Sequence, residues 1–168
     1  MFKREYLSSY ITSAVIATVL YAIPMVFFLK NADYQKTYLL YIGNFLFLIS
    51  IAVFVLVFNR SKGENASTQT LKAAGHVATL FGVILSVVVA TIALVIFVPD
   101  IFGSGKSETL LSNAPAETGT GKTNGLVFIL YMNTIIGNFS GGSIASILMP
   151  ITVRRDQTKD RKSEVLNN

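Results

Sequence analysis

The sequence has no cysteine, no tryptophan and a single histidine among its 168 residues. Without cysteine there is no disulfide, no thiolate metal site and no dithiol redox chemistry. That removes quinone–disulfide exchange, a task of some small four-helix membrane proteins, from the candidates. Without tryptophan, an interfacial aromatic belt would have to be made of tyrosine. The lone His76 cannot ligate a haem on both faces, nor build a metal site without carboxylates beside it. It reads as an interfacial polar side chain rather than a proton switch. Charge is scarce too: Asp, Glu, Lys and Arg make up 14% of the chain, against about a quarter in soluble domains.

What is present is apolar. Leu7–Leu29, Tyr38–Phe58, Ala73–Val98 and Gly125–Ile151 contain no Asp, Glu, Lys or Arg. Each reaches the roughly 20 residues a helix needs to cross about 30 Å of hydrocarbon. The pattern predicts an all-α integral membrane protein with four transmembrane helices in an up-down bundle, both termini cytoplasmic. The bundle would occupy residues 1–153, with a flexible extracytoplasmic loop at 100–124 and a charged cytoplasmic tail at 154–168.

Orientation follows from the basic residues. With both termini inside, Lys3, Arg4, Arg60, Lys62, Lys72, Arg154, Arg155, Lys159, Arg161 and Lys162 lie on the cytoplasmic side. Lys30, Lys36, Lys106 and Lys122 lie outside, a ratio of ten to four. Basic residues near span ends resist translocation, so the richer side stays in the cytoplasm. The first run is longer than a signal-peptide core and no A-x-A-like site follows it, so it reads as a span. Tyr6 and Tyr10 suit the inner interface; Tyr34, Tyr38 and Tyr131 suit the outer one. The expected location is a cell membrane of the bacterial inner-membrane kind.

Helix contacts are written in small residues. Lipid is as apolar as leucine, so membrane helices associate where small side chains let backbones approach. In the third run Gly75, Thr79, Gly82, Ser86, Ala90 and Ala93 form one stripe, with Leu80, Val83, Ile84, Val87, Leu94 and Phe97 opposite. The stripe fits the first helix, where Ser9, Ser13 and Ala17 make a matching row, and it equally fits another subunit. Pro24 in the first run removes one backbone hydrogen bond and predicts a kink near Leu20–Tyr21. A static bend there is commoner than a gating hinge.

The fourth run carries more polarity. Asn133, Gly137, Gly141 and Ala145 form one four-residue ridge; Thr134, Asn138, Gly142 and Ser146 form the next. Gly141 and Gly142 together invite a bend or local unwinding. The arc is wider than one helix contact needs, so part of it is expected to face another chain. Asn44 is a candidate amide partner. A pore lining or ligand site with a broken helix is the functional alternative; a tight interface with interhelical hydrogen bonds is the plainer reading.

Several motifs are misleading. Ala116–Thr123 reads A-E-T-G-T-G-K-T and Gly103–Ser107 reads G-S-G-K-S, both resembling phosphate-binding loops. Such loops need a strand before the glycines and a helix after them, and no strand precedes either. Asn65 and Asn138 fit glycosylation sequons but fall in cytoplasmic and intramembrane positions. The tail alternates basic and acidic residues, with Arg154 and Arg155 placed to meet anionic headgroups.

No intramembrane carboxylate, ammonium or guanidinium is available for catalysis or proton coupling. The sequence therefore implies no enzyme activity, no cofactor, no nucleotide and no nucleic acid. It implies a structural or accessory subunit, packed with itself or with a larger membrane complex and surrounded by lipid. The alternative is a homo-oligomeric channel or transporter with an uncharged pore lined by the fourth helix.

Overall fold

A computed structural model of the chain describes residues 6–61, 66–98, 101, 111–115 and 123–166, with residues 123, 124 and 154–166 as backbone only. Helix α1 is Leu7–Asn31, α2 is Tyr38–Ser61 and α3 is Thr68–Phe97. The fourth apolar run is divided. Helix α4, Thr123–Met132, passes into a π-helical turn, Asn133–Gly137, and then into α5, Asn138–Leu166. Among the described residues no strand forms, and four helical segments are long and apolar enough to cross a membrane: Leu7–Asn31, Tyr34–Ser61, Thr68–Phe97 and Gly125–Val153.

Local chemistry sets the ends. Ala32, in the left-handed region at φ 45°, closes α1 by donating its N–H to the Phe28 carbonyl at 2.9 Å. Asp33 then accepts from the Gln35 N–H at 3.0 Å and opens a short 3-10 turn, Tyr34–Lys36, that reverses the chain into α2. The third helix begins at Thr68 rather than Ala73 because Ser67 caps it, accepting from the Thr70 N–H at 3.1 Å. Helix α5 continues past the apolar run to Leu166, through Arg, Lys and Gln that favour helix.

The four spans pack closely. Tyr21, Met25, Phe28, Phe47, Ile51 and Leu130 belong to the larger buried cluster. A second cluster near the start of α1 gathers Tyr10, Val55, Phe58, Leu71 and Ala74. There Tyr10 meets Phe54 edge-on at 6.0 Å, and Tyr6 meets Phe58 at 5.4 Å. Tyr10 is thus turned into the bundle rather than out to an interface. Helix α1 runs unbroken through Pro24, which is buried. Beside it, Gly43 of α2 lets the backbones close: a Cβ there would stand 2.9 Å from the Tyr21 ring and 3.0 Å from its carbonyl oxygen.

Within the long α3–α4 connection, residues 111–115 are held against the α1–α2 turn. Ser112 donates its N–H to the Ala32 carbonyl at 2.8 Å and accepts from the Tyr34 N–H at 2.9 Å. Asn113, at φ 57°, donates its amide to Asp33 at 3.1 Å. Leu111 is 1% exposed and joins the larger core cluster. One leucine, two backbone hydrogen bonds and one between side chains pin residues 111–115 over the α1–α2 turn. The sequence pattern concealed this, because the anchor is a single apolar side chain in a polar stretch. The glycine-rich matches at 103–107 and 116–122, the sequon at Asn65, and the side chains of the tail lie outside the described residues.

Candidate functional site

The strongest concentration of polar chemistry lies mid-bundle, where the fourth span sits between its neighbours. Its two ridges serve two different helices. Asn133, Gly137 and Gly141 face α2: the Asn44 amide donates to Asn133 Oδ1 at 3.2 Å, and Gly137 leaves room for the Asn44 side chain. A Cβ on Gly141 would touch Leu48 at 3.4 Å. The other ridge faces α3. Gly142 lies against Thr79, and a Cβ on Gly75 would stand 2.8 Å from the Ser146 Cβ. Thr134, Asn138 and Ser146 are fully buried inside the chain.

The width of the arc does not require the second chain expected from the sequence. An arc wider than one contact follows from a helix that lies against two neighbours at once. Of the residues singled out on the third run, Gly75, Thr79, Gly82, Ser86, Ala90 and Ala93 are all buried. Gly82 packs under the Phe47 ring, where a Cβ would meet it at 2.8 Å. Val83 and Leu94, assigned to the opposite surface, are buried as well. Helix α3 touches α1, α2 and α5, so more than one stripe of it is covered.

The irregular turn falls at Asn133–Gly137, ahead of Gly141-Gly142, through which α5 is continuous. Asn133 donates its amide to the Ile129 carbonyl at 3.1 Å, and the Thr134 hydroxyl donates to the Leu130 carbonyl at 2.7 Å. Side chains thus compete with backbone N–H groups for the carbonyls of the preceding turn. Residues four apart drift around an α-helix because its turn is 3.6 residues. One wider turn takes up that drift and helps keep Asn133 and Gly137 on the same neighbour. Such π turns recur at functional sites.

Hydroxyls link the layer to α1 and α3. The Thr134 proton is committed to Leu130, so Tyr21 donates to Thr134 Oγ1 at 2.7 Å. By the same logic Tyr131 donates to Thr91 at 2.7 Å, since Thr91 donates to the Val87 carbonyl at 2.8 Å. Thr18 donates to the Gly82 carbonyl at 3.1 Å, and Ser86 points at Thr18 at 3.4 Å. Sequence reasoning missed Tyr21 and Thr18. The available signal was a tyrosine deep inside an apolar run, too far from either end to reach an interface.

One group stands out. Both amide atoms of Asn138 are buried and have no hydrogen-bond partner, and Asn44 Oδ1 is likewise unpartnered. Leaving such a group unsatisfied costs about 1–3 kcal/mol. The layer offers amide donors and acceptors and hydroxyls, all uncharged, which suits it to hydrogen-bond a neutral polar group. Among the described residues no three His, Asp or Glu side chains come together that could hold a metal ion. His76 lies half-buried near the start of α3, away from this layer. Ser9 and Ser13, expected opposite the α3 stripe, are not on it. Ala14, Ala17 and Thr18 occupy the buried face of α1, Ser9 is exposed, and Ser13 lines a groove shared with α2.

Compared with protein-family models, curated proteins and solved structures, the chain matches none.

Proposed function

We propose that this chain is a small multi-pass protein of the cell membrane, an up-down bundle with both termini cytoplasmic. It acts as a structural or accessory subunit, packing against copies of itself or a larger membrane complex, without catalysing a reaction or binding nucleotide. The observation that carries this reading is the direction of the polar groups. Thr134, Asn138 and Ser146 of the fourth span turn inward, while Phe45, Val53, Ile84, Val88, Ile136 and Phe139 stand exposed. A locked interior with apolar outer faces suits a protein that works by contact within hydrocarbon. Pairings support the alternating course: Tyr21 with Gly43 and Tyr10 with Phe54 run in opposite senses along α1 and α2, as do Gly75 with Ser146 and Thr79 with Gly142 along α3 and α5.

The test uses the cysteine-free background. Single cysteines at Phe45, Ile84 and Ile144, probed with bifunctional thiol reagents in native membranes, should give a discrete higher-mass product from one face. A chain that stays monomeric from all three overturns the subunit reading. Reporter fusions at Asn65 and Asn168 should read cytoplasmic and one at Asn113 extracytoplasmic; a cytoplasmic signal at Asn113 overturns the topology.

A transport role keeps one specific support, the unpartnered Asn138 amide beside the π turn. A pore between copies would need Thr134, Asn138 and Ser146 on a shared axis, and these side chains are buried within their own chain. A path would therefore run inside one bundle. A cysteine at Ser146 that reacts with a water-soluble thiol reagent would favour it; a silent Ser146 beside a lipid-accessible Ser140 favours the dry subunit.

A further inference from the structure

A groove with a cavity volume of about 520 Å³ lies between α1 and α2, on the side away from the polar layer. Helix α1 contributes Ser8, Ser9, Thr12 and Ser13 to it, and α2 contributes Ser50 and Ser61. A row of hydroxyls is not by itself a site. Here a second observation accompanies it: Ser13 is only 6% exposed, lines the groove, and its Oγ has no hydrogen-bond partner. Ile16 and Leu20 continue the α1 wall deeper, and the α2 wall is largely apolar along its length, through Phe58, Val57, Phe54, Val53 and Ile49.

We infer that this groove binds one anionic glycerophospholipid, drawn from the leaflet next to the start of α1. The inference rests on the four segments spanning a bilayer; it is independent of the choice between subunit and transport roles.

Three features select this occupant. The first is length. From Ser8 to Leu20, at 1.5 Å per residue, the groove runs roughly 18 Å, close to half of the ~30 Å hydrocarbon thickness. A transmembrane helix of a partner or a second copy would need a seam across the whole bilayer. A groove that ends near mid-depth fits a molecule confined to one leaflet.

The second is the order of chemistry along it. Along α1 the lining passes from Ser8, Ser9, Thr12 and Ser13 to Ile16 and Leu20; along α2 it passes from Ser61 through Phe58, Val57, Phe54 and Val53 to Ser50 and Ile49, about three turns deeper. The α1 wall matches the order of groups in a glycerophospholipid: a phosphate, then ester carbonyls that only accept hydrogen bonds, then an acyl chain, for which the apolar α2 wall supplies the facing surface. The unpartnered Ser13 hydroxyl can donate to one of these carbonyls.

The third is charge. Arg60 is exposed beside Ser61 in the last turn of α2. In the sequence Lys3, Arg4, Arg60 and Lys62 flank this end, against Glu5 and Glu64. Helix α1 also begins at this end, and a helix start favours an anion.

The experiment uses the full chain, delipidated in detergent and titrated with phosphatidylglycerol or phosphatidylcholine, with bound lipid counted by native mass spectrometry. Wild type should retain one phosphatidylglycerol at concentrations where phosphatidylcholine is retained at least about threefold less. Ser13→Leu should reduce retention about tenfold, while Val88→Leu on the exposed face of α3 leaves it unchanged. Should Ser13→Leu fail to fold, Ser13→Ala removes only the hydroxyl and should weaken retention about threefold. A photoreactive residue at Val53 should yield an adduct of one phospholipid mass in membranes. Equal retention by wild type and both Ser13 variants overturns the site, and equal retention of the two lipids overturns its anionic selectivity. A chain-to-chain adduct from Val53 assigns the groove to a protein partner instead.

Discussion

The α3–α5 seam and the α1–α2 groove are built from the same kinds of residue and do opposite things. In the seam each small residue meets a counterpart: Gly75 takes Ser146, and Gly142 takes Thr79. The surfaces interlock, and the Ser146 hydroxyl is satisfied by its own helix, donating to the Gly142 carbonyl at 2.6 Å. In the groove, Ser8, Ser9, Thr12 and Ser13 face a helix whose side chains stand back, leaving space and an unpartnered Ser13 hydroxyl. A row of small polar residues is therefore a seam only when the facing helix is complementary in shape. Without that complement it is a recess.

The sharpest way to break this contrast is to add bulk to both regions. Gly142→Leu should destabilise the bundle by about 1–3 kcal/mol or more, because no rotamer clears Thr79. Thr12→Leu, in the groove, should stay within about 0.5 kcal/mol of wild type. Unfolding in mixed detergent would compare them; similar losses would show that the groove is packed as tightly as the seam. Next in size is Asn138→Leu. Replacing an unpartnered buried amide by an apolar side chain of similar size should leave stability unchanged or raise it by about 1 kcal/mol. A clear loss would mean that the amide has a partner in the membrane.

A smaller effect is expected at the hydroxyl links. Tyr21→Phe removes the donor to Thr134 and should cost about 0.6 kcal/mol, the average for interhelical hydrogen bonds in membranes. Thr91→Val should cost a similar amount through Tyr131. Equal melting of Tyr21→Phe and wild type would place these bonds outside the energetics of the bundle. The smallest change is Ser13→Ala, within about 0.5 kcal/mol in lipid-free detergent, since its hydroxyl bonds nothing within the protein. A larger loss would join Ser13 to the seam class.

The number of spans and their approximate limits could be read from the sequence, because crossing hydrocarbon is a one-dimensional requirement of length and apolarity. The small-residue stripe of α3 was legible for the same kind of reason: a regular spacing on one helix defines a face without reference to any other. The two ridges of the fourth span were legible as ridges, and Asn44 as an amide in search of a partner. What those faces meet depends on three-dimensional placement. Only the tertiary structure decided that the fourth span lies between α2 and α3, so that one wide arc serves two neighbours within a single chain. It also decided that the backbone widens at Asn133–Gly137, where side chains compete for carbonyls, rather than at the paired glycines. And it separated Ser13 from the seam it resembles. A periodic row states which residues share a side; whether that side is filled is a property of two surfaces together.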